Sequence, residues 1–296
     1  MGNVFEGRII VNFGRHMTVE TAAGNRVKCR IKGRSLRPVC GDLVSVEPSP
    51  DSTGLITSIH KRDSLLVRHD PRLGQQPLAA NVDRMIVVVA PKPTLDPAMI
   101  DRYLAAAAIL GIPALILLNK IDLLDTTRIV ACREALDEYA AIGYSILETS
   151  AASGKGIDTL NESLRGHIGV LVGQSGTGKS SLLKALIPDA EIRIGEISHA
   201  TEEGRHTTTV SVLYHLVGSG DLIDSPGVRG FQLWPIPAQE LAHGFVEFQP
   251  HLGRCKFSDC SHQHEPGCSV IAAVESSSIS RRRYESYRTL CAKNPD

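Results

Sequence analysis

Residues 173–180 read GQSGTGKS, and few stretches this short restrict a fold so sharply. The pattern G-x-x-x-x-G-K-[ST] has meaning only between an apolar strand that delivers the loop and a helix that leaves it. Both flanks are present: HIGVLVG (167–173) reads as a buried strand, and a helix is expected over 179–187. Gly173, Gly176 and Gly178 let the backbone fold round an anion, so that N–H groups along Gln174, Ser175 and Thr177 converge on phosphate oxygens. The helix start, Ser180-Ser181, adds a positive dipole end. Lys179 is placed to reach β- and γ-phosphates, and Ser180 to hold Mg²⁺.

Around this loop the chain alternates strand and helix. MIVVVA (85–90), ALILL (114–118), YSILET (144–149) and residues 220–224 read as strands. Asp96-Pro97 opens a helix, as N-cap and first-turn proline, and Gly111 closes it; another helix is expected over 128–142. Such alternation predicts a parallel sheet with helices on both faces.

Asn119-Lys120-Ile121-Asp122 follows the second of these strands. The Asp122 carboxylate can accept hydrogen bonds from guanine N1–H and the exocyclic amine, whereas adenine would leave it desolvated and unpaired. This opposes an ATP-dependent kinase or ATPase. Thr149-Ser150-Ala151, one strand later, fits a loop whose backbone supports guanine O6. GDLIDSPG (220–227) sets Asp224 at a strand end as a Mg²⁺ contact, with Gly227 as the γ-phosphate sensor. Between them, GRHTTT (204–209) is a switch loop in which Thr208, or equally Thr207 or Thr209, completes the Mg²⁺ shell. The order of base reader, base support, phosphate loop and switches is the usual GTPase order rotated. A parallel sheet tolerates this, because the site depends on which loops meet in space. After Gly227 stands Val228, where many GTPases place a glutamine that orients the attacking water. An isopropyl group cannot do this; His206 is the nearest substitute, against the plainer reading of an exposed loop histidine. Slow hydrolysis, accelerated by a partner, is the expectation.

Residues 1–68 hold five strand-like stretches between turn residues and no helical periodicity, which predicts a small antiparallel barrel of OB type. The formal net charge of the chain is zero, but this segment carries 11 Lys/Arg against 6 Asp/Glu. Residues 69–235 carry 14 against 19, and 236–296 carry 7 of each. Arg26, Lys28, Arg30, Lys32 and Arg34 alternate, so a strand puts all five on one face, with Val27, Cys29 and Ile31 inward. Five like charges repel unless an anion meets them, which favours RNA phosphate over a merely solvated face. Arg281-Arg282-Arg283 gives a second, lesser basic patch.

After about residue 236 helical stretches (238–247, 278–291) flank Cys255-x4-Cys260-x-His262-x5-Cys268. Three thiolates and an imidazole suffice for a closed, structural zinc site. His251 and His264 are nearby alternatives, and reduced cysteines in a small core are the plainer one. No apolar run reaches the ~20 residues of a membrane span, and the N-terminus lacks signal-peptide organisation, so a cytoplasmic protein is expected. A hydrophobic fraction of 42% and a charged fraction of 22% are ordinary for a globular chain.

Taken together, the basic OB-like start, NKID ahead of GQSGTGKSS, GRHTTT, DSPG and the Cys-Cys-His-Cys cluster resemble the circularly permuted, small-ribosomal-subunit-dependent GTPases of bacteria. The resemblance spans nearly the whole chain. It implies an OB-fold (1–68), a permuted α/β P-loop GTPase domain (69–235) and a mainly α zinc-binding domain (236–296). It also implies late maturation of the 30S subunit, contact with 16S rRNA, GTP/GDP as ligands, and one Zn²⁺ on Cys255, Cys260, His262 and Cys268. A monomer is expected. The alternative is an RNA-binding module for which GTP is only a structural or regulatory ligand.

Overall fold

The computed structural model describes residues 3–33, 35–50, 53–70, 74–123, 126–187, 210–218, 220–225 and 236–293. Arg34, His206, Thr207, Thr208, Thr209, Gly227 and Val228 lie outside the described residues.

Five strands form the amino-terminal barrel: β1 (Phe5–Asn12), β2 (His16–Glu20), β3 (Arg26–Ile31), β4 (Leu43–Pro48) and β5 (Gly54–Ile59). They run in the order β1-β2-β3-β5-β4, and β4 pairs back onto β1 to close the ring. All pairings are antiparallel except β3 with β5, which is parallel. Alternation along the strands turns Ile9, Met17, Val19, Cys29, Val44, Val46 and Ile56 into a core of their own. Val27 and Ile31 pack against that core while Arg26, Lys28, Arg30 and Lys32 are exposed, as period two requires.

A hairpin that the sequence reading did not identify follows, β6 (Leu65–Asp70) with β7 (Gly74–Ala80), as a separate two-stranded sheet. Then come β8 (Arg84–Val89), α1 (Pro97–Ile109), β9 (Ala114–Leu118), α2 (Thr126–Ile142), β10 (Ser145–Glu148), α3 (Ile157–Ser163), β11 (Ile168–Val172) and α4 (Lys179–Leu186). Asp96 caps α1 as expected, its carboxylate accepting from the N–H groups of Ala98 and Met99. Two further strands, β12 (Ser211–His215) and β13 (Asp221–Asp224), complete the set. Across the sheet the order is β10-β9-β8-β11-β13-β12, parallel except for β12. The phosphate-loop strand β11 is central although it comes late in the chain. Five parallel strands therefore aim their following loops at one side.

The sheet does not stop at β12. Val11↔Val212 and Asn12↔Ser211 pair β1 with β12 and make one eleven-stranded sheet of barrel and GTPase strands. The carboxy-terminal part is helical: α5 (Ala238–His243), a 3₁₀ turn (Val246–His251), α6 (Ser269–Glu275) and α7 (Arg281–Lys293). These helices share a single hydrophobic core with the β8–β11 region.

Candidate functional site: the nucleotide crevice and a cysteine–histidine cluster

β11 is buried at every position and ends in Gly173, whose φ of 137° belongs to glycine. A Cβ there would lie 2.3 Å from the Val88 carbonyl oxygen of β8. The loop then exposes Gln174, Ser175 and Gly176, buries Thr177, and turns into α4 through Gly178, at φ 96°. Lys179 Nζ donates to the carbonyls of Gly173 and Gln174 at 2.6 and 2.7 Å. Its side chain thus lies back across the loop that precedes it. Lys179 and Asp224 line one small cavity between β11, α4 and β13, which brings the charged residues of the two motifs to the same place. Ser180 and Ser181 are exposed at the start of α4.

The Asn119–Asp122 stretch, 50-odd residues earlier, is physically tied to this loop. Asn119 is fully buried and its amide donates to the Thr177 carbonyl at 2.9 Å. Its oxygen accepts from Thr149 Oγ1 at 3.2 Å and from the Ala151 N–H at 3.3 Å. Lys120, at φ 64°, donates from Nζ to the Gly176 carbonyl at 2.5 Å and to the Lys92 carbonyl at 3.1 Å. Ile121 is buried as an anchor, while Asp122 stays exposed with Ser150 Oγ donating to it at 2.5 Å. One asparagine and one lysine therefore join three loops that the chain reaches far apart. The approach is close enough that a Cβ on Gly178 would stand 2.4 Å from Asn119 Nδ2. The Lys92 segment, after β8, is a wall of the crevice that no motif announced. Ser225, next to Asp224, is buried and accepts from Ser211 Oγ at 2.8 Å.

In the carboxy-terminal part, the four ligand atoms of Cys255, Cys260, His262 and Cys268 lie within 4.8 Å of one another. Cys255 Sγ is 3.9 Å from Cys268 Sγ, and His262 Nδ1 is 3.5 and 3.4 Å from those two sulfurs. A tetrahedral ion with S ligands at ~2.3 Å and N at ~2.0 Å sets edges of roughly 3.8 and 3.5 Å, so the cluster can hold a metal ion. Burial lowers the His262 pKa and so favours the neutral imidazole a metal needs. Burial pushes the Cys255 thiol up, but hydrogen bonds from Ser269, Cys260 and Cys268 outweigh it and leave the pKa below its usual value. His251 and His264 are not in the cluster. The loop is fastened from below: Tyr284 and Tyr287 of α7 donate to the carbonyls of His262 and Ser261 at 2.9 and 2.6 Å.

Two basic features read differently in three dimensions. Arg26 meets Glu20 and Lys32 meets Glu47, each at 2.7 Å, so two of the β3 charges have protein carboxylates beside them. Of the Arg281-Arg282-Arg283 patch, only Arg281 stays exposed, and the expectation is corrected for the other two. Arg283 is buried, bonded to Asp101 and Glu247, and stacked 4.6 Å over Phe245; Arg282 is bonded to Asp101 and Glu138. These two arginines hold α7 to α1 and α2.

Comparison with known proteins agrees with this geometry. Residues 59–234 match the RsgA GTPase family. The small ribosomal subunit biogenesis GTPase RsgA of Photorhabdus laumondii is 42% identical over 298 residues, covering 98% of this chain and 85% of that one. RsgA 1 of Vibrio vulnificus YJ016 is 43% identical over 295 residues, covering 98% and 84%. Among solved structures, YjeQ from Thermotoga maritima aligns at TM-score 0.80 and 33% identity, over 98% of both chains. YloQ, described as a circularly permuted GTPase, aligns at TM-score 0.76 and 26% identity, over 99% of this chain and 97% of that one. With loops tied in the permuted order and similarity along its whole length, the chain belongs to the RsgA GTPase family and is a GTP-hydrolysing enzyme.

Proposed function

We propose that this GTPase assists biogenesis of the small ribosomal subunit, as the names of its relatives state for them. The reading is carried by one observation: the Asn119 and Lys120 side chains bond the phosphate-loop carbonyls of Thr177 and Gly176. GTP then lies with guanine on Asp122, Ser150 and Ala151 and phosphates along 173–181. A triphosphate offers Lys179 better acceptors than the two carbonyls it now holds. Mg²⁺ would sit with Ser180, Asp224 and Thr208, and Gly227 would sense the γ-phosphate. Hydrolysis is slow alone and stimulated by the 30S subunit, with His206 orienting water. The exposed face of Arg26, Lys28, Arg30 and Lys32, with Arg34 following in sequence, meets 16S rRNA, and Cys255, Cys260, His262 and Cys268 hold one structural Zn²⁺. The protein works as a cytoplasmic monomer.

The deciding experiment measures phosphate release with and without purified small subunits, for wild type and Asp122→Asn. Stimulation of wild-type GTP hydrolysis by small subunits, and a shift of the variant towards xanthosine triphosphate by roughly tenfold or more, is expected. Unchanged nucleotide preference would sink the base reader; an unstimulated wild type would sink the ribosomal role.

A further inference from the structure

His215 lies on β12, and each of its ring nitrogens faces a carboxylate. Nε2 is 2.6 Å from Glu20 Oε1 of the barrel, and Nδ1 is 2.6 Å from Asp221 Oδ1 at the start of β13. An ionised carboxylate only accepts, so both contacts are complete as hydrogen bonds only when the ring is an imidazolium that donates from both nitrogens. The other Glu20 oxygen takes Arg26 of β3 at 2.7 Å, and Arg8 of β1 stands opposite Glu20 in the strand register. Among the described residues, Glu20 and Asp221 are the charged groups that face this imidazole, with Arg26 and Arg8 beside Glu20. The hydrogen bond to Asp221 leads in raising its pKa; burial opposes and the Glu20 charge assists.

The position matters because β1 and β12 pair at only two positions, with a Cys40–Ala79 bridge as the further backbone contact of the barrel with the strands that follow it. One of those pairs uses Ser211, whose hydroxyl donates to Ser225, the residue after Asp224. β12 thus touches the barrel at both ends and the Asp224 strand along its length.

We propose that His215 is a positioning residue, a clasp that transmits engagement of the barrel by an anionic partner to the strands carrying Ser211 and Asp224. Loading the basic face draws charge from Arg26, shifts Glu20, and through the imidazolium shifts Asp221 and the strand it begins. Rising pH opens the clasp, because the raised pKa means the contact is complete below the usual histidine range and is lost as pH passes the folded value.

The test rests on the proposed stimulation by small subunits and adds an arm that does not. Hydrolysis by the full chain is followed from about pH 6 to about pH 9, alone and with subunits. Stimulation of wild type should fall at least about threefold with rising pH. His215→Gln should be weakly stimulated throughout. His215→Lys, charged up to about pH 10, should keep the stimulation and lose its pH dependence. The independent arm is the affinity of a fluorescent GDP analogue for Glu20→Gln in both backgrounds. A change of at least about twofold beside His215 that vanishes beside His215→Gln supports the clasp. Equal effects in both backgrounds, or a His215→Gln profile like wild type, overturn it. An unstimulated wild type with a positive affinity arm would instead fault the ribosomal reading alone.

Discussion

Glu265 stands between His262 and Cys268 and acts as the hub of their loop. Its carboxylate accepts from the N–H and hydroxyl of Ser261 and from the N–H groups of Gln263 and His264. Burial raises its pKa, but these donors more than reverse that and hold the carboxyl well below the usual range. A depressed carboxylate stabilises the fold above its unfolded pKa and loses that contribution as pH falls through the folded value. Glu265→Gln, with one acceptor oxygen for four donors, should cost about 1–2 kcal/mol at neutral pH. The gap between wild-type and variant unfolding curves should narrow below about pH 4; a gap constant with pH would remove the charge from the explanation. Nothing in the sequence flagged this glutamate, because its donors are backbone groups that only a folded turn gathers. The glycines and lysine of GQSGTGKS were legible for the converse reason: their chemistry is local to eight residues.

At the scale of elements, α7 is fixed by charge as well as by packing. Asp101 of α1 is fully buried and receives Arg282, Arg283 and the Tyr139 hydroxyl, the last at 2.7 Å. Removing one partner of a buried pair strands the other, so Arg283→Ala should destabilise the chain by about 3–5 kcal/mol, read from urea unfolding. A loss below about 1 kcal/mol would show the network to be solvated. Sequence reading put these arginines on a surface because their partners lie 36 and 182 residues away. The five barrel strands and β8, β9, β10 and β11 were legible from alternation or unbroken apolar runs. The β6–β7 hairpin was missed because GQQPLAA shows neither pattern, and SVLYH was missed as a strand beside a polar loop.

For the molecule as a whole, shared interiors set what moves together. The carboxy-terminal helices lie in one core with the GTPase sheet; the barrel keeps a small core of its own, but its Ile10, Val11 and Cys40 enter the larger one, and it joins through the β1–β12 pairing and a Cys40–Ala79 bridge. That juncture has a consequence for solubility. Without β1, the outer side of β12 would present unpaired N–H and C=O groups beside Ser211 and Val212, an open template for another chain to add to. A chain beginning after residue 60 should therefore self-associate in light scattering, whereas the full chain should not. The barrel, whatever it binds, also serves as the seal on a sticky margin.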